Sequence, residues 1–297
     1  MNENTMQDAQ ALLDARATDA QPSRRTALKA AVGVGFAASV LPVTAQTVVT
    51  TPSDGLLAGR ITIDVNGYAM PAYRSAPVGA TNAPVILVIP EIFGVHEHIA
   101  DVTRRLAHLG YMAIAPDLMA RQGNAAGFSD VGQLMAQVVS KVPDAQVMKD
   151  LDATVGWAAR NGGDTDRLAI TGFCWGGRIT WLYAAHQPKV RAGVAWYGRL
   201  LGQSSDLTPV HPIDVAGKLQ APVLGLYGGA DTGIPLDSVE AMKTALAMGP
   251  AAAKASQFMV YPDTPHAFHA DYRPSFRKEA AQDGWRRLTE WLKASGV

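Results

Sequence analysis

Apolar residues in this chain follow two periods. In short segments they alternate or run without a break, and between those segments they recur at helical spacing. Arg60-Ile-Thr-Ile-Asp-Val-Asn alternates, Gly67 interrupts, and Tyr68 to Arg74 follows. That pattern predicts an antiparallel hairpin at a sheet edge. Pro84-Val-Ile-Leu-Val-Ile-Pro90 is continuously apolar, as expected of a strand covered on both faces. Comparable runs at 111–115, 167–171, 190–196, 222–227 and 256–261 predict further strands. Helical spacing predicts helices from about 96 to 109, through a longer region broken by Pro143, and over 178–186, 236–248 and 275–293. Strands alternating with helices imply an α/β class with a mostly parallel, doubly wound sheet. In such sheets chemistry gathers at the carboxyl ends of the strands.

The first 45 residues depart from this pattern. Ser23-Arg24-Arg25-Thr26-Ala27-Leu28-Lys29 resembles a twin-arginine export signal, with Ala27 where a bulky residue is usual. An apolar stretch from Ala30 to about Leu41 follows, then the small residues of Pro42-Val43-Thr44-Ala45. The stretch is too short and too rich in Gly and Ala for a membrane span. The expectation is a signal peptide over 1–45, cleaved near Ala45/Gln46, that engages the twin-arginine export machinery and delivers the chain to the periplasm. Residues 46–59 are expected to be a flexible arm, and 60–297 a single domain of this α/β class.

Composition narrows the functional classes. The 297 residues are 48% hydrophobic, ample for one sizeable core. Lys+Arg and Asp+Glu are both 26, so no basic excess points to nucleic acid. One cysteine leaves no internal disulfide to form. His96-Glu97-His98 lacks the H-E-x-x-H spacing of a zinc site and reads as a solvated first helical turn. No other cluster has ligand spacing, so neither a metal nor a cofactor is expected.

Candidate chemistry centres on Gly172-Phe173-Cys174-Trp175-Gly176-Gly177, between a strand and a helix. This is the nucleophile elbow of the α/β-hydrolase architecture with cysteine in place of serine. Gly172 and Gly176 let a strained turn close, and the helix N-terminus favours a thiolate. A lone cysteine is otherwise a small buried hydrophobe; the glycine frame favours a nucleophile. Asp231 and His266 each follow a predicted strand, giving the order nucleophile, acid, base. His269 is the alternative base, and Asp263 reads as loop-stabilising. After the first buried strand come Glu91 and Ile92. Backbone N–H groups of Ile92 and Trp175 are the expected oxyanion donors. Glu91 could equally be a surface loop residue or part of a structural salt bridge.

Together these segments resemble the dienelactone hydrolase (carboxymethylenebutenolidase) family. The matching segments are Glu91-Ile92-Phe93-Gly94-Val95, Tyr111 to Leu118 with Ala120-Arg121-Gln122, the cysteine elbow, Trp196-Tyr197-Gly198, Gly229-Ala230-Asp231 and His266-Ala267-Phe268. The resemblance covers about residues 60 to 295. It implies catalytic roles for Cys174, Asp231, His266 and Glu91, with a thioester intermediate. It further implies that Glu91 gates thiolate formation and that Arg121 binds a substrate carboxylate. Phe93, Trp196, Tyr197 and Arg273 are expected to line the substrate pocket, although Trp175 and Trp196 could equally be core. The family's second arginine, four residues after the histidine, is Ala270 here, and Arg273 is the candidate substitute. The expected substrate is a small lactone or ester. A broad carboxylesterase and a non-catalytic periplasmic binding protein are the alternatives.

Overall fold

The computed structural model describes residues 49–297; the expected export signal over 1–45 and the expected cleavage near Ala45/Gln46 lie outside the described residues. The strands are β1 (Leu56–Val65), β2 (Tyr68–Pro77), β3 (Ala83–Ile89), β4 (Met112–Pro116), β5 (Gly163–Phe173), β6 (Val190–Trp196), β7 (Val223–Gly228) and β8 (Gln257–Tyr261). They form one sheet in the order β1-β2-β4-β3-β5-β6-β7-β8. The β1–β2 and β2–β4 pairs are antiparallel and every other pair is parallel. This is the mostly parallel sheet of the α/β-hydrolase fold.

The longer helices are α1 (Glu97–His108), α2 (Val131–Gln137), α3 (Asp144–Arg160), α4 (Trp175–His186), α5 (Leu236–Ala247) and α6 (Lys278–Ala294). α1 packs on β2 and β4, α3 on β5, α4 on β5 and β6, and α6 on β6 and β7. Central strands are therefore buried on both faces: Val85 to Ile89 have no exposed surface. That is why their sequences run apolar without alternation. The outer hairpin keeps its alternation because one face meets solvent.

Three local expectations need correction. The arm over 46–59 is not loose where it is described. Leu56–Gly59 belongs to β1, and Thr51 is pinned to α1: its N–H donates to Asp101 Oδ1 at 2.6 Å, and its carbonyl accepts from Arg104 Nε at 2.9 Å. Helix α4 begins at Trp175, not at 178. Gly176 and Gly177 thus lie in its first turn, where a side chain at Gly177 would sit 2.6 Å from the Trp196 carbonyl oxygen. They are glycines because the helix docks backbone against backbone. The start of α1 is not a solvated turn either: His98 is 2% exposed, and its Nδ1 bonds Asp271 Oδ1 at 3.0 Å.

The order β4-β3-β5 places a switch point at β3, where the chain's crossovers change direction. A crevice opens outside the carboxyl ends of strands at such a point. Glu91 follows β3 and Cys174 follows β5.

Candidate active site

Cys174 sits between β5 and α4 with φ 55° and ψ −114°. A non-glycine residue at positive φ costs about 1–3 kcal/mol and persists only where its surroundings hold it. Here the hold is explicit. The Cys174 N–H donates to the Trp196 carbonyl at 3.0 Å, and its own carbonyl accepts from Arg178 at 3.2 Å. A Cβ on Gly172 would collide with the Gly176 carbonyl, and one on Gly176 with that of Ile89. The thiol thus stands at the N-terminus of α4. Trp175 is the first residue of that helix, and its N–H has no acceptor within it.

Asp231 and His266 reach each other because their loops are laced together. Gly229 N–H donates to the Tyr261 carbonyl at 2.7 Å, and Ala230 N–H to that of Thr264 at 3.0 Å. His266 Nδ1 then donates to Asp231 Oδ2 at 2.6 Å, and both side chains are 1% exposed. Asp231 Oδ1 accepts from Gly233 N–H at 2.9 Å and Ile234 N–H at 3.2 Å, which fixes the carboxylate. Burial alone would lower the His266 pKa. The charges of Asp231 and Cys174, with hydrogen bonds to both, outweigh it and push the value well above the usual histidine range. The ring therefore favours its protonated form beside the sulfur.

Glu91 is 1% exposed, so it is neither a surface loop residue nor solvated. Its Oε2 accepts from the Tyr272 hydroxyl at 2.9 Å and from Arg273 at 3.5 Å. The Arg273 guanidinium lies 4.6 Å from the Phe93 ring centre. Phe93, Glu91 and Arg273 therefore form one buried cluster, on which Cys174 also acts electrostatically. Tyr197, at φ 38°, packs its ring edge-on against His266 at 5.1 Å. Burial, then Glu91 and Cys174, raise its pKa and keep the hydroxyl protonated.

Two expected substrate contacts are engaged otherwise, Trp196 in the core and Arg121 with Asp150. Trp196 is fully buried. Its Nε1 donates to Thr171 Oγ1 at 3.1 Å, and its ring packs on Phe173, Phe268 and His269. It is core, and only its carbonyl serves the elbow. Arg121 is ion-paired with buried Asp150 and lies 4.0 Å over the Tyr68 ring, so its charge is already answered. His269 is not the base: it is buried among Trp196, Phe173 and Trp285. Burial, His98 and Arg105 lower its pKa well below the usual range. Tyr272 is the residue that sequence reasoning missed. Its position beside Arg273 was a weak signal, because nothing local says that its hydroxyl meets Glu91. Among the described residues no group of side chains is arranged to hold a metal ion.

A protein-family model described as the dienelactone hydrolase family matches residues 70–296. A candidate carboxymethylenebutenolidase of Methylorubrum extorquens is 58% identical over 276 residues, covering 93% of this chain and 94% of the relative. One from Escherichia coli K12 is 53% identical over 263 residues, covering 88% and 96%. Among solved structures, a candidate dienelactone hydrolase from Klebsiella pneumoniae superimposes with a TM-score of 0.78. It shares 54% identity, over 80% of this chain and 98% of that one.

Proposed function

The chain belongs to the dienelactone hydrolase family and is a hydrolase; from that premise we propose that it cleaves a small lactone or carboxylic ester through Cys174, by way of a thioester. The observation that carries this reading is the 2.6 Å bond from His266 to Asp231, with the second ring nitrogen of His266 left for the thiol of Cys174. Asp231 fixes the proton on Nδ1, so that Nε2 serves as the base.

In the first step the thiol proton already rests on Nε2, and the thiolate Sγ bonds to the acyl carbon. The carbonyl oxygen becomes an oxyanion that accepts hydrogen bonds from the Ile92 and Trp175 N–H groups. As the carbonyl re-forms, the C–O bond breaks, and the leaving enolate or alkoxide takes the proton from His266. In the second step His266 removes a proton from water, whose oxygen adds to the thioester carbon. The C–S bond then breaks, the sulfur leaves as thiolate and the acid is released. Glu91 assists thiolate formation from its place beside Arg273 and Cys174.

Ring opening of dienelactone and hydrolysis of p-nitrophenyl acetate, run with wild type and Cys174→Ala, test this. Turnover of either compound that is lost with Cys174 is expected. Turnover that survives Cys174→Ala overturns the nucleophile assignment. Tight binding of both without turnover points instead to a non-catalytic binding protein.

The reading extends to location. We propose that residues 1–45 direct twin-arginine export and that the enzyme works in the periplasm. The single cysteine suits an oxidising compartment, since no second thiol in the chain can trap it.

A further inference from the structure

The segment after His266 brings two groups to the site without the support of a helix or strand. From Ala267 to Arg277 it is a run of turns, with Ala270 N–H on the Ala267 carbonyl at 3.0 Å and Arg273 N–H on that of Ala270 at 2.9 Å. Its contact with Glu91 is slight. Arg273 reaches Glu91 Oε2 only at 3.5 Å, and Arg273 Nε and Glu91 Oε1 have no hydrogen-bond partner among the described residues. The Tyr272 hydroxyl, at 2.9 Å, makes the shorter bond to this carboxylate. The segment is fastened at Asp271, the residue before Tyr272, whose side chain is 1% exposed. Asp271 Oδ1 accepts from His98 Nδ1 at 3.0 Å, and Oδ2 from Arg105 Nη2 at 2.8 Å. Arg105 Nε donates in turn to Asp101 Oδ2 at 2.5 Å, and Asp101 Oδ1 accepts the Thr51 N–H. Buried carboxylates thus tie the segment to α1, and α1 to the arm that precedes β1.

We propose that Asp271 is a positioning residue: by fastening its segment to α1 it sets the Tyr272 hydroxyl and the Arg273 guanidinium beside Glu91. Its bearing on the reaction rests on Glu91 assisting thiolate formation, as proposed above. His98 and Arg105 lie two turns apart on one face of α1. Two donors from one helix fix the carboxylate in place and in direction, and the Tyr272 backbone follows directly from it. A carboxylate buried only to fill space is costly. One that fixes where a run of turns sits has a use that an apolar side chain, free to slide, does not. Asp271 itself touches neither Cys174 nor Glu91 through any hydrogen bond; it acts through Tyr272 and Arg273.

Asp271→Asn and Arg105→Gln remove opposite charges, which separates positioning from a field acting through space. Cys174 is the only thiol in the chain, so its rate of alkylation by iodoacetamide against pH, measured on the whole protein, reads the thiolate. A direct field would shift the two profiles in opposite directions. Positioning predicts that both variants slow labelling at neutral pH, as Tyr272→Phe does, by about 10-fold, with kcat/KM for p-nitrophenyl acetate falling in step. Opposite shifts, or unchanged profiles, overturn the inference. Tm gives a second reading that needs no catalysis. Tyr272→Phe should lower Tm by about 3 °C or more in wild type. It should lower Tm by little in the Asp271→Asn or Arg105→Gln background, where the hydroxyl has already left Glu91. An equal loss in every background overturns the inference as well. The Arg105 side chain is partly exposed, so Arg105→Gln carries both tests where Asp271→Asn does not fold. Glu91→Gln that labels as fast as wild type would defeat the assistance reading instead, while the Tm cycle still decides what Asp271 holds.

Discussion

Replacing Asp231 by asparagine removes one charge from the centre of the site and little else. The amide has nearly the shape of the carboxylate, and its oxygen can keep the bonds from Gly233 and Ile234. What changes faces His266. With Nδ1 and Oδ2 2.6 Å apart, the centres of charge are roughly 4 Å apart, and the attraction is worth about 4 kcal/mol at an effective dielectric of 20. If the transition state draws on all of it, the rate falls about 1,000-fold. The tautomer adds to the loss. An amide N–H facing Nδ1 forces the ring proton onto Nε2, which then cannot accept the thiol proton. The expected loss in kcat/KM is about 10³- to 10⁴-fold, with the fold retained. The His266 pKa should also drop, because burial then acts on it with less opposition, so iodoacetamide labels Cys174 more slowly at neutral pH. Steady-state kinetics on p-nitrophenyl acetate, with labelling followed by mass spectrometry, would read both effects. A variant within about 10-fold of wild type would refute this account, since that leaves under 1.4 kcal/mol for a buried, charge-assisted hydrogen bond.

Four further outcomes are expected. Gly172→Ala puts a methyl group against the Gly176 carbonyl and 2.8 Å from Thr180 Oγ1; it should cost about 3 kcal/mol or more, and an unchanged Tm would sink the close-packed elbow. Trp196→Phe loses the bond to Thr171 and part of a buried ring; stability should fall by about 1–3 kcal/mol with KM unchanged, whereas a changed KM would return Trp196 to the pocket. Burial raises the Asp271 pKa, but the bond to His98, its charge and the contacts to Arg105 outweigh this, and the net shift is downward. A depressed carboxyl stabilises above its unfolded value and loses that contribution as pH falls through the folded one. The Tm advantage of wild type over Asp271→Asn should therefore be full above about pH 5 and shrink steadily below about pH 3.9; an advantage that persists in acid contradicts the assignment. Replacing Arg24 and Arg25 together by lysine should leave the precursor uncleaved in the cytoplasmic fraction, and undiminished periplasmic enzyme would refute twin-arginine export.

Sequence by itself determined the strands, the parallel core and the elbow. Their signals are local. A strand covered on both faces must be apolar throughout, a nucleophile on a sharp turn needs glycines around it, and Asp231 and His266 announced themselves by following strands β7 and β8. Helix α4 began earlier than expected because glycine reads as turn when it is met without its neighbours. The lost signals were of another kind. An uninterrupted apolar strand does not say which face a residue takes, so Trp196 stayed open between pocket and core until its ring was seen against Phe268 and His269. Arg121 was expected on a substrate carboxylate, and its pairing with Asp150, 29 residues further along in α3, has no local signal.

Only the tertiary structure decided the charge pattern of the site. Tyr272 meets Glu91 across 181 residues, and His98 meets Asp271 across 173. Such pairs are set by how α1 and the segment after His266 dock over the carboxyl ends of the strands. Periodicity and motif spacing report the backbone within a few residues. The partner of a buried charge, and hence the electrostatics that the thiol experiences, is fixed by packing between segments far apart in the chain.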